Sequence, residues 1–300
     1  MYAHIAAEGP DDARRTYLRE VVDDAIGTLT ASLQKRDALA NRFVVITSDH
    51  GHTPVVYDEV HALSHGDDDP PSLVKKAGFR LRPLKLEVSA KDDFDAVLAY
   101  GGATAYVYVA DRSTCPKAKD VCDWGKPARW QEDVVPMAEA FFKNNEDGSL
   151  APGMKGTLDL ILTRKPRPPD EDDLPFEVYV GGGKTVPVDA YLKDHPTPTY
   201  VAVDKRLREL AAGPVGDRAG DIMLIAHNGD RATPDQRYYF ASRYRSWHGS
   251  PSKKDSEIPL IVAHPQRSAA ELRTRVQKLI GPDPHQQKVT DLLLGLRSEL

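Results

Sequence analysis

Phe43-Val44-Val45-Ile46-Thr47-Ser48-Asp49-His50-Gly51 is the stretch whose reading decides the fold. Its first five residues are mostly apolar and β-branched, which suits a strand buried on both faces of a largely parallel sheet. Its last four are small or polar, and the glycine lets the backbone turn sharply away. Upstream, Leu18, Val21, Val22, Ala25, Ile26, Leu29 and Leu33 recur at helical spacing. That period predicts an amphipathic helix over about residues 12–39. Gly9-Pro10-Asp11-Asp12 opens the helix and ends a short, mostly apolar segment, Tyr2–Ala7, read as a strand. Strand, helix and strand in this order form a βαβ unit, so the expected fold class is α/β.

Beyond Gly51 the chain turns irregular, with residues 57–95 rich in Asp, Pro and Lys. Residues 96–110 read as strands around Gly101-Gly102, Val134–Lys143 as a short helix, and Leu158–Leu162 and Phe176–Val180 as short strands. Leu207–Ala212 sits in another helix, Asp221–Ala226 and Ile258–Ala263 are strands again, and the end is helical. This predicts a core built from residues 1–95 and 221–300, with 96–220 inserted between them as an α+β subdomain or cap.

Composition narrows the function classes. Forty per cent hydrophobic residues in 300 can fill a substantial core, which argues against wholesale disorder. Forty basic against 45 acidic side chains leave a net charge of −5, which gives no reason to expect nucleic-acid binding. No apolar run approaches the roughly 20 residues that span a bilayer. Met1–Pro10 has neither the basic nor the apolar region of a signal peptide, and reads as the tail of a strand already inside a domain.

Two segments carry candidate chemistry. Ser48-Asp49-His50-Gly51-His52 follows the core strand, and open α/β sheets place ligand sites just beyond the carboxyl ends of their strands. Asp49 and His50 offer one oxygen and one nitrogen ligand, a pair that suits a zinc-like cation. The plainer alternative is a polar strand-to-loop turn. Ser246-Trp247-His248-Gly249-Ser250 precedes the strand Ile258-Pro259-Leu260-Ile261-Val262, and its histidine could reach the same sheet edge or sit in a surface loop.

Together, Thr47-Ser48-Asp49-His50-Gly51 and Trp247-His248-Gly249-Ser250 with its Pro-Leu strand resemble the alkaline phosphatase superfamily, in its type I phosphodiesterase/nucleotide pyrophosphatase branch. The resemblance implies a three-layer α/β/α core with a largely parallel sheet. It also implies two divalent metal ions, one held by Asp49 and His50 and the other by His248. The second ion of this branch also takes an Asp and a His spaced Asp-x-x-x-His before the helix. His4 matches that His, and the Asp would fall one residue before Met1. The branch's Thr or Ser nucleophile and a further metal-binding Asp would lie upstream, and no downstream Thr or Ser has a comparable setting. The expectation is a chain without the N-terminal part of such an enzyme, with no catalytic nucleophile and no activity as it stands.

The activity implied is hydrolysis of a small-molecule phosphoric ester, mono- or diester. Two cations about 3.5–4 Å apart would clamp the attacking and leaving oxygens of an in-line displacement. Asp/His ligation favours zinc, with manganese and iron as alternatives. A non-catalytic metal- or ligand-binding short form, and a sulfatase- or phosphomutase-like member of the superfamily, are the rival readings. Members are often exported, which points to a periplasmic or extracellular location with any signal peptide upstream.

Other features fare less well. Gly181-Gly182-Gly183-Lys184-Thr185 lacks the first P-loop glycine, because Val178 stands there, and reads as a glycine hairpin. His61 and His65 have i, i+4 spacing without the zincin Glu and read as loop residues, or as lining a site entrance. His227-Asn228-Gly229-Asp230 resembles a turn whose Asn228 and Asp230 could face substrate, and Asp67–Asp69 a solvated loop. Cys115 and Cys122 flank a Pro/Lys loop and could be a local disulfide or two buried thiols.

Overall fold

The computed structural model describes residues 2–64, 68–83, 92–165, 176–197, 199–212, 216–227 and 233–298. His65, Asp67, Asn228 and Asp230 therefore lie outside the described residues. Among those described, the strands are β1 (Val44–Thr47), β2 (Thr53–Pro54), β3 (Ala96–Tyr100), β4 (Thr104–Val109), β5 (Leu158–Thr163), β6 (Glu177–Tyr179), β7 (Thr185–Pro187), β8 (Ile222–Ala226), β9 (Ser246–Trp247) and β10 (Leu260–Ala263). The chain divides into two units, Met1–Gly51 with Glu257–Leu300, and His52–Ser256.

The first unit pairs β1 with β10. Side chains alternate across a strand, so Val45, Leu260 and Val262 point to one face. They pack there with Ile280, Leu292 and Leu296 of the helices Ala269–Ile280 and Val289–Arg297. Ser268 and Glu271 close a capping box at the start of the first of these helices. The opposite face carries Ile261, which stays exposed. The long helix runs as Pro10–Tyr17, a π-helical turn Leu18–Val22, and Asp23–Lys35. Pro10 sits in its first turn beside Asp11 and Asp12, where a preset φ and negative charge favour initiation. Leu18, Val21 and Leu29 on its apolar stripe are exposed. Tyr2–Ile5 is a helical turn and not the strand expected there. A run this short carries too little periodicity to separate the two states.

The second unit is built on a six-stranded sheet of order β3-β4-β8-β5-β6-β7. Ile222, Leu224 and Ala226 of β8 face a cluster with Leu73, Val74, Met137 and Phe141, from the helices Pro70–Lys76 and Val135–Asp147. Met223 and Ile225 face the other way, onto Val188, Val203, Leu207 and Ala211 of the helices Val188–Asp194 and Val203–Ala211.

The expectation of a largely parallel sheet is corrected: every pairing between these strands is antiparallel. A continuous apolar run reports that both faces are covered, and it carries no information on strand direction. The fully buried run is Ile222–Ala226, between antiparallel neighbours, whereas Val44–Thr47 is only half-buried.

Two local features resolve open readings. Cys115 and Cys122 form a disulfide. The loop they close wraps the Arg80 guanidinium, which donates to the carbonyls of Cys115, Lys117 and Asp120 and to the buried Asp95 carboxylate. Gly181–Gly183 turns the β6–β7 hairpin. The Gly182 N–H donates to the Glu139 carboxylate, as does the Tyr179 hydroxyl, so this turn cradles a side chain of the protein. Burial first, and then the hydrogen bond to Glu139, push the Tyr179 hydroxyl up to about 12.

Candidate functional site

In the first unit, β1 delivers Asp49 and His50 into a tight turn. The Ser48 hydroxyl donates to the His50 carbonyl at 2.9 Å, and the His50 N–H donates to Asp49 Oδ1 at 2.9 Å. That backbone N–H is the largest influence holding the Asp49 carboxyl below the usual carboxylate range. The Asp49 side chain is 80% exposed, so an ionised oxygen pair faces solvent. His50 Nδ1 lies 2.8 Å from the Gly51 carbonyl, which can only accept. Nδ1 therefore donates to that carbonyl, which turns Nε2 toward Asp49 Oδ2, 3.3 Å away. Metal-bound histidines are commonly oriented in this way by a backbone carbonyl on the other ring nitrogen. The donor set fits a divalent cation. His4 belongs to the same unit, on the turn Tyr2–Ile5.

His248 belongs to the second unit, one residue past β9. Its carbonyl accepts from the Ala103 N–H at 2.8 Å, and the Ala103 carbonyl accepts from the Ala226 N–H at 2.9 Å. The segment thus docks at the ends of β4 and β8, two interior strands of the six-stranded sheet. The approach is close enough to require glycine twice. A Cβ on Gly102, at φ +81°, would lie 2.2 Å from the His248 carbonyl oxygen. A Cβ on Gly249, at φ +96°, would lie 2.0 Å from the Gly101 carbonyl oxygen. The other side is fixed by Asp255, 5% exposed, whose Oδ1 accepts from the Thr53 hydroxyl and whose Oδ2 accepts from both the N–H and the hydroxyl of Ser250. Thr53 is paired with Trp247 across β2 and β9. Beside that pair the rings of His52 and His248 stack with centroids 5.9 Å apart.

Two further constellations lie in this unit. His227 Nδ1 sits 2.6 Å from Asp159 Oδ1, and the Tyr200 hydroxyl donates to Asp159 Oδ2 at 2.7 Å. His61, read as a loop residue, is mostly buried. Its Nδ1 faces Asp58 and its Nε2 faces the Asp235 carbonyl, each within 2.9 Å.

The structure pairs Asp49 with His50 and sets His248 beside His52. Among the described residues no three His, Cys, Asp or Glu side chains gather into a ready cage for a metal ion. Sequence reasoning missed three residues. His52 was visible as the second histidine of Asp-His-Gly-His. Asp255 and Asp159 gave no sequence signal, because Thr53 lies far from the first in the chain and Tyr200 and His227 far from the second.

The chain matches no curated protein and no solved structure. Residues 4–251 match the family model for type I phosphodiesterase/nucleotide pyrophosphatase, a span that begins at His4 and includes Asp49, His50 and His248. That family lies within the alkaline phosphatase superfamily and is one of phosphoester hydrolases. The chain belongs to the type I phosphodiesterase/nucleotide pyrophosphatase family.

Proposed function

We propose that the chain carries the metal-binding part of a phosphoester hydrolase site, with Asp49 and His50 on one divalent ion and His248 with His4 on a second. The three-layer core and a small-molecule phosphate ester substrate belong to the same reading. The observation that carries it is the Asp49–His50 turn, where an exposed ionised carboxylate adjoins an imidazole whose Nδ1 is tied to the Gly51 carbonyl. When bound, divalent cations would polarise the phosphoryl oxygens and lower the pKa of an attacking hydroxyl. The protein's own residues supply the rest. Ser48 and the His50 N–H hold the Asp49 carboxylate in place before any ion arrives, so little ordering remains to be done. Ala103 and Asp255 hold the strand end that carries His248. The reading assigns no nucleophile among these 300 residues.

The test therefore uses a property that needs no attacking hydroxyl, namely binding of the product. The zinc-loaded chain should bind inorganic phosphate, lose it on EDTA treatment, and bind it at least about tenfold more weakly as Asp49→Ala, a difference of about 1.4 kcal/mol. Turnover of bis(p-nitrophenyl) phosphate by the 300-residue chain should be negligible. Phosphate binding that is unchanged without metal, or absent at millimolar phosphate, contradicts the reading.

A further inference from the structure

The pairing of β2 with β9 has Thr53 opposite Trp247 and Pro54 opposite Ser246, antiparallel. One step further along this register, His52 stands opposite His248. Directly opposed residues of an antiparallel pair share a face and hold their Cβ atoms about 5 Å apart. The rings lie on that shared face, with centroids 5.9 Å apart and planes 30° from parallel. Both side chains are partly exposed, which leaves room for an incoming ion and its remaining ligands.

We propose that His52 and His248 form a cross-strand chelate of two nitrogens for a divalent transition metal. This adds His52 as a ligand to the ion that the family reading gives to His248. It rests on that reading for the role of His248, while the pairing itself comes from the strand register.

The distances favour it. With metal–nitrogen bonds of about 2.0–2.1 Å, two imidazoles on a tetrahedral ion place their centroids about 5 Å apart. The pair needs to close by about 1 Å, which ring rotation about the soft terminal torsion supplies. The backbone on both sides is already fixed. The His52 N–H donates to the Lys254 carbonyl at 3.0 Å, and the His248 carbonyl accepts from Ala103 at 2.8 Å. Asp255 ties Thr53, next to His52, to Ser250, two residues past His248. A chelate held by two strands and a buried carboxylate needs little reorganisation on binding. With His4, which the proposed function gives the same ion, this makes three protein nitrogens and leaves one position of a tetrahedral ion open for a phosphate ester or water.

The full 300-residue chain, stripped with EDTA, is titrated calorimetrically with Zn²⁺ alone as wild type, His52→Ala, His248→Ala and the double variant. His52→Ala and His248→Ala should each weaken the same site at least about tenfold. The double variant should lose less than the two single losses combined, because the second arm is worth less once the chelate is broken. His52→Gln, which keeps a polar side chain of similar reach, controls for folding together with a thermal melt followed by circular dichroism. In wild-type protein the ring nitrogens of His52 and His248 should shift together in ¹H–¹⁵N spectra as Zn²⁺ saturates. Wild-type zinc affinity in His52→Ala and His52→Gln, with His248→Ala weakened, overturns the chelate and leaves the family reading standing. Wild-type affinity in both His52→Ala and His248→Ala overturns the chelate and the role of His248 together. A His52 ring unmoved at saturating Zn²⁺ overturns the chelate on its own.

Discussion

Gly102→Ala is expected to lower the unfolding free energy by about 3 kcal/mol, measured by urea denaturation. The added Cβ would meet the His248 carbonyl oxygen at 2.2 Å and the Trp247 ring at 3.3 Å. The first of these is a backbone atom, so no side-chain rotation relieves it. The segment after β9 must move, and the hydrogen bond from the Ala103 N–H to the His248 carbonyl is lost with it. Gly102 also has φ +81°, a conformation that costs an L-residue about 1–2 kcal/mol. Gly78→Ala separates the two contributions. Gly78 has φ +87° and nothing within 4 Å of its would-be Cβ, so only the conformational cost should appear there. Equal losses in the two variants would show that the close approach at His248 contributes nothing. The displaced His248 should also cost metal affinity, which Gly78→Ala should not touch.

Asp255→Ala should cost a similar amount, about 3 kcal/mol, by leaving the Thr53 hydroxyl and the N–H and hydroxyl of Ser250 without their buried acceptor. The Thr53 hydroxyl can rotate toward another acceptor, but the Ser250 N–H cannot, and it carries most of the loss. Asp255→Asn should fall between wild type and alanine. An amide has one oxygen for donors that now share two, so either Thr53 or Ser250 must face an N–H₂ group. Both substitutions loosen the strand pair beneath His52 and His248, so zinc affinity should fall in the same order as stability. A stability change below about 0.5 kcal/mol in Asp255→Ala would place this carboxylate among ordinary surface positions and remove it from the account.

How much was legible in the sequence follows from which forces are local. The period of Leu18 to Leu33 and the apolar run Phe43–Thr47 report backbone state, and the helix and strand are where the pattern puts them. Their packing is not local. The same β-branched composition serves the half-buried β1 and the fully buried β8, and neither run says whether its neighbour is parallel. The Asp49–His50 turn was readable because its hydrogen bonds close within three residues. Asp255 and Asp159 were invisible because Thr53 is some two hundred positions from one of them, and Tyr200 and His227 are dozens from the other. His52 sat in plain view, but only the β2–β9 register makes it the partner of His248.

Metal stoichiometry tests the central claim most directly. The purified 300-residue chain, stripped, reloaded with Zn²⁺ and cleared of excess, is measured by elemental analysis as wild type, as Asp49→Ala with His50→Ala, and as His248→Ala. The account predicts two ions per chain in wild type and one in each variant, with the fold retained. A chain that retains no zinc, or one whose zinc content is the same in all three proteins, would contradict it.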